Sequence, residues 1–167
     1  MKGFRMLALS DSPPAFTPLG QKLFDANKPA YGPRAIPPAL GNDPTGNCDP
    51  LGLVRNLLLE VSIYQLEMVP VKDRMFQFFE WGHSYRTIWT DGRALPTNVG
   101  APGRDSLNPK YNGYSVGHWE DDYNFVVETT GLAPETWASK AGHPHSIDAR
   151  VTERFTRVSR NDLKLSI

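Results

Sequence analysis

Arg150-Val151-Thr152-Glu153-Arg154-Phe155-Thr156-Arg157-Val158, then Ser159-Arg160-Asn161-Asp162, then Leu163-Lys164-Leu165-Ser166-Ile167: this stretch decides the fold class. Val151, Glu153 and Phe155 alternate with Thr152, Arg154 and Thr156, the period of a strand with one buried face. Leu163, Leu165 and Ile167 repeat the pattern, with Lys164 and Ser166 on the other face. The polar run between them has turn chemistry. The reading is two antiparallel strands.

Working towards the N-terminus, the same grammar recurs. Gly113–Trp119 and Tyr123–Thr130 flank Glu120-Asp121-Asp122. Arg86–Thr90 runs into Asp91-Gly92, a strong hairpin signal. Met75–Trp81 follows Lys72-Asp73, and Leu57–Val69 precedes that turn as an apolar, β-branched run. No long helical period interrupts the series. Residues 54–167 are therefore expected to be mainly β, an antiparallel full or partial barrel. Residues 94–112 carry Pro96, Gly100, Pro102, Gly103 and Pro109 and form a loop long enough to be functional or mobile.

Residues 1–53 hold nine of the fifteen prolines and read as a separate Pro-rich N-terminal arm. Each proline fixes φ and restrains its predecessor to extended geometry. Thr17 and Pro18 mark the cap and first position of a short helix. The expectation is an ordered arm over 10–53 that buries Phe24, Tyr31 and Ile36 on the barrel.

Eighteen Lys and Arg balance eighteen Asp and Glu over 167 residues. Zero net charge speaks against a nucleic-acid partner and against a polybasic membrane module. No run approaches the roughly 18 apolar residues of a membrane span. The lone Cys48 excludes an intrachain disulfide and a Cys-rich metal site, and is expected to be a small buried residue. Near the start, Met6–Leu9 is shorter than the apolar core of a signal peptide. The chain is then either cytoplasmic or a form without its export signal.

Three sets of residues can carry chemistry. His143 and His145, around Pro144, can face one divalent metal ion from an extended backbone, with Asp148, Glu153, His83 or His118 as a further ligand. The plainer alternative is a loop whose imidazoles bond to neighbouring groups. Glu153 shares its face with Phe155, so its carboxylate points inward and needs a partner. Arg86, on the face of Ile88, is the candidate; a structural pair is one reading, acid–base work by Glu153 with His118 the other. Trp81, Tyr85, Trp89 and Trp119, with Arg86, can line a ligand cavity in a small barrel. Nucleotide-binding and serine-hydrolase fingerprints are missing from the sequence.

Tyr31-Gly32-Pro33-Arg34 through Asn42-Asp43-Pro44, Ile88-Trp89-Thr90-Asp91-Gly92-Arg93, Gly113-Tyr114-Ser115-Val116-Gly117-His118-Trp119-Glu120, Gly142-His143-Pro144-His145-Ser146 and Val151-Thr152-Glu153-Arg154-Phe155 together resemble an uncharacterised family. Its members are small exported proteins of soil bacteria such as Acidobacteria. The resemblance implies a lipocalin-like β-rich shape and a periplasmic or extracellular setting, and transfers no mechanism. Where the family carries a Gly-Asp turn after Trp-Glu, this chain has Asp121-Asp122, and family members continue beyond the last strand. Three functions follow: a binding module for a small apolar or aromatic ligand; a metal-assisted hydrolase, lyase or isomerase using the His-x-His pair; and a homo-oligomer pairing through its arm or the Leu163–Ile167 edge.

Overall fold

The computed structural model describes residues 15–60 and 65–167. Residues 1–14 of the arm read over 1–53, and the middle of the predicted strand Leu57–Val69, lie outside them. Seven strands form one sheet in chain order: β1 Leu66–Val71, β2 Arg74–Phe79, β3 Ser84–Trp89, β4 Tyr114–Trp119, β5 Asn124–Thr130, β6 Val151–Arg157 and β7 Leu163–Ser166. The sheet curls into a half-barrel. Neighbouring strands are antiparallel except β3 and β4, which are parallel.

The sheet is thus mainly antiparallel, as expected, and the parallel pair corrects only the hairpin read at Asp91-Gly92. Asp91-Gly92 does turn the chain, but Gly92 alone of the two has positive φ, so the primed turn of a two-residue hairpin is not made. Instead the chain leaves β3 through the long Pro-rich loop. A parallel partner needs a crossover of this length. The turn between β1 and β2 is tight, with Asp73 left-handed at φ 65°. Between β4 and β5 the Asp121 carboxylate accepts the backbone N–H of Tyr123 and of Asn124, both at 2.8 Å. The turn is thus of the Asx type.

The first part of the predicted Leu57–Val69 strand is helical. Leu53–Arg55 is one α-turn, continued by a π-turn over Asn56–Glu60. Leu53 and Leu57 lie four residues apart and are buried in one cluster, a helical spacing masked by the apolar run. In the proline-rich part, α1 spans Pro18–Ala26 with Thr17 as cap, its hydroxyl accepting from Gly20 N–H. Single 3₁₀ turns begin at Pro38 and Pro44. A missing N–H costs nothing at the first position of a helical turn, so these prolines open turns rather than extend the chain. Phe24 and Ile36 are only partly buried and Tyr31 is 57% exposed, which corrects the expected burial. This segment packs on the β5–β6 connection: Asn27 donates to the Gly142 carbonyl, and Phe24 stacks on His143 at 5.2 Å. Cys48 is exposed, not buried, because it ends the second 3₁₀ turn in a left-handed conformation.

The concave face of the half-barrel holds two apolar clusters. Leu53, Leu57, Phe79, Leu132 and Val151 form one; Met75, Ile88, Phe125, Val127 and Phe155 form the other. Along β2 the inward residues run Met75, Gln77, Phe79, and along β6 Val151, Glu153, Phe155. Gln77 and Glu153 therefore fall between the clusters. Arg86 crosses this gap from β3 to β6, two strands beyond its neighbour. Its Nη1 donates to Glu153 Oε2 at 2.7 Å, its Nη2 to Oε1 at 2.6 Å, and its Nε to Gln77 Oε1 at 2.5 Å. Ser115 and Thr129, small polar residues on the strands it passes over, bond to each other at 2.8 Å and lie 3.4 and 3.3 Å from Nη1. All five side chains are buried. A bidentate pair with this much hydrogen bonding offsets its desolvation and ties β3 to β6 across the curve of the sheet.

Candidate functional site

β3 and β4 share only two register pairs, Ile88 with Ser115 and Trp89 with Val116. Before Tyr114 the strand pairing ends, and the end of the crossover loop, residues 110–113, lines a cleft together with Ser84–Thr87. Several contacts hold that loop end in place. Lys110 N–H donates to the Gly131 carbonyl at 3.0 Å, Leu53 N–H to the Tyr111 carbonyl at 3.2 Å, and Asn112 Nδ2 to the Tyr85 carbonyl at 3.2 Å. Gly113 lets the loop turn into β4. Its φ is +65°, and a Cβ there would lie 2.6 Å from Thr129 Cγ2 and 2.7 Å from the Thr130 oxygen.

The resulting cleft has a volume of about 400 Å³, within the usual span for small-molecule sites. Tyr85 and Trp89 line it from β3, and Lys110, Tyr111, Asn112 and Tyr114 from the loop and β4. Arg86 and Ser115 line it as well, so the cleft and the buried network share two residues. The aromatic walls are braced. Tyr85 leans on Phe76 and Phe78, at 6.2 and 5.9 Å between ring centres. The Trp89 indole carries the guanidinium of Arg74 at 4.2 Å and that of Arg93 at 3.5 Å. Arg93 is itself held by Asp91. Lys110 Nζ lies 4.4 Å over the Tyr114 ring, whose hydroxyl donates to the Asn108 carbonyl. The negative charge of Asp49 beside Tyr111, helped by burial and by Glu135, pushes its phenol above the ordinary value. The Tyr111 hydroxyl is also hydrogen-bonded to the Asp49 carboxylate, which holds this side of the cleft in place.

Three of the five ligand-binding residues expected from sequence, Tyr85, Arg86 and Trp89, meet in this cleft. The other two are elsewhere. Trp119 stands over a smaller apolar cleft at one end of the half-barrel, with Met68, Met75, Phe125, Phe155 and Leu163, of about 210 Å³. Trp81 lies in the 3₁₀ turn after β2 and lines a cavity against residues 28–55. Sequence reading missed Lys110, Tyr111, Asn112 and Tyr114. The signal was the long 94–112 loop, which contains the first three of them.

Glu153 and His118 are not brought together. Glu153 is fully buried on Arg86, whereas His118 is exposed on the opposite face of the sheet, opposite Val126. His143 bonds to the Ser139 hydroxyl and stacks on Phe24; the other ring of the pair, His145, bonds to the Thr136 hydroxyl through Nε2 at 2.8 Å. His83 stands apart in the 3₁₀ turn after β2, in a left-handed conformation. Among the described residues, no three His, Cys, Asp or Glu side chains cluster as a metal site would require. Among them, too, no helix is long and apolar enough to cross a membrane. Comparison of the chain with protein-family models, curated proteins and solved structures finds no match.

Proposed function

We propose that this protein is a non-enzymatic binding module that holds a small aromatic ligand in the cleft between β3 and β4. The observation that carries the reading is the convergence of Tyr85, Trp89, Tyr111 and Tyr114 on one cleft of suitable size. Braced rings lose little conformational freedom on binding, which favours stacking of a planar ligand. Lys110 at the rim supplies a donor, so the ligand is a ring bearing a hydrogen-bond acceptor, such as a phenol or a hydroxyindole. In keeping with the family resemblance, the module is a lipocalin-like shape working in the periplasm or outside the cell. Fractionation of cells expressing the gene from its own start tests that setting: recovery in the cytoplasm alone would refute it. Titration with neutral phenols, followed by tryptophan fluorescence, tests the binding. Saturation that is lost in Tyr111→Ala supports the reading, and a linear response rejects it.

A second reading is self-association through β7. Among the described residues this strand pairs only with β6, and Leu163 and Ile167 are exposed along it. An edge of this kind accepts another strand. Light scattering over a concentration series tests it, and a constant single-chain mass would end it.

A further inference from the structure

A second cavity, separate from the aromatic cleft, is organised around a buried cation. Arg55 sits in the helical turn whose Leu53 and Leu57 are locked in the core, so its side chain emerges from a fixed backbone. The residue is 4% exposed, yet its guanidinium is poorly matched. Nη1 donates to Asp43 Oδ1 at 2.8 Å, while Nε has no partner among the described residues. Asp43 Oδ1 is already shared, accepting from the Thr45 backbone N–H at 3.0 Å and from the Thr45 hydroxyl at 2.9 Å. A guanidinium has five N–H donors, and leaving them unpaired out of water is costly.

Arg55 lines a cavity of about 540 Å³, together with Asp43, Lys28, Tyr31, Trp81 and the backbone around Gly41 and Gly46. The charges there do not cancel. Among its lining residues, Arg55 and Lys28 stand against the single carboxylate of Asp43; Lys140, outside the lining, lies 4.9 Å over the Tyr31 ring. Asn42 fixes the Lys28 backbone, accepting from its N–H at 2.6 Å, so the Lys28 stem starts from a set position at the rim. The cavity thus combines a surplus of positive charge with two aromatic surfaces. That combination suits an anion with a flat apolar body.

We propose that this cavity binds a small aromatic carboxylate, its carboxylate on Arg55 and Lys28 and its ring against Tyr31 and Trp81. The site is independent of the β3–β4 cleft and stands or falls without it. The forked guanidinium suits a carboxylate, and the rings distinguish an aryl acid from a bare inorganic anion.

The test is a titration of the full chain with benzoate, followed by ¹H–¹⁵N NMR at the Trp81 indole, alongside the neutral isostere benzamide and inorganic phosphate. The expected result is saturable binding of benzoate, with benzamide and phosphate each about tenfold weaker or more. Arg55 is buried, and replacing it endangers the fold, so the informative variant is the exposed Lys28→Gln. It should weaken benzoate severalfold with an unchanged thermal midpoint in the absence of ligand. Tyr85→Ala, in the other cleft, should leave benzoate affinity unchanged. Equal binding of benzoate and benzamide, no saturation with benzoate, phosphate binding as tightly, or insensitivity to Lys28→Gln would each overturn the proposal.

Discussion

Arg86 and Glu153 face each other across the interior of the half-barrel, guanidinium to carboxylate at 2.6 and 2.7 Å, from strands that are not neighbours. Sheet curvature is what lets these two side chains meet, and their contact in turn holds the curvature. They also divide the core, with Phe79 and Val151 on one side and Met75 and Phe155 on the other.

Breaking that pair should be costly. Glu153→Gln leaves Arg86 as an uncompensated buried charge and should destabilise the fold by about 3–5 kcal/mol. Replacing both partners, as Arg86→Met with Glu153→Leu, should cost less than the sum of the single changes. Urea unfolding of Glu153→Gln and of the four proteins of the cycle checks both statements. Additive costs would show that the pair does not act as a unit.

Gly117 should not tolerate a side chain. A Cβ there would lie 2.6 Å from the Phe125 ring and 2.8 Å from Ile88 Cγ2, both in the core. Gly117→Ala should therefore destabilise by about 1–3 kcal/mol through overpacking, although alanine favours no special backbone conformation here. Thermal unfolding gives the answer, and an unchanged midpoint would place β4 farther from Phe125.

Acid should weaken the Asp43 anchor. Burial pushes this carboxyl up, but the bonds from Arg55 and Thr45 outweigh it, and the net shift is below the ordinary value of 3.8. The folded state therefore binds this proton less readily than the unfolded chain. The contribution to stability is complete above about pH 4 and is lost as pH falls through the lower folded value. The stability gap between the native protein and Asp43→Asn, measured from about pH 6 down to about pH 3, should narrow at the acid end. A gap that widens on acidification would reverse the sign.

Much of this architecture was legible in the residues themselves. Val151, Glu153 and Phe155 announced an inward face by simple alternation, and Arg86 could be named as partner because it shares a face with Ile88. The turns at Lys72-Asp73 and Ser159–Asp162 fell where turn chemistry put them. The failures have physical causes. Asp91-Gly92 has hairpin composition, but whether a turn becomes a hairpin depends on where the next strand pairs, and here it pairs parallel. Leu57-Leu58-Leu59 is a continuous apolar run that fits either period, so its helical spacing cannot be separated from a strand pattern. The cleft itself was half legible: Tyr85, Arg86 and Trp89 lie on one strand, whereas Lys110 and Tyr111 reach it only because the crossover loop doubles back.

The most direct test of the binding function is a ¹H–¹⁵N NMR titration of the full chain with a neutral phenol such as p-cresol. The expected result is saturable shifts at Tyr85, Asn112 and the Trp89 indole, weakened about tenfold in Tyr85→Ala and in Tyr111→Ala. Shifts that never saturate, or that gather instead around Trp119 and Tyr123, would contradict a ligand site between β3 and β4.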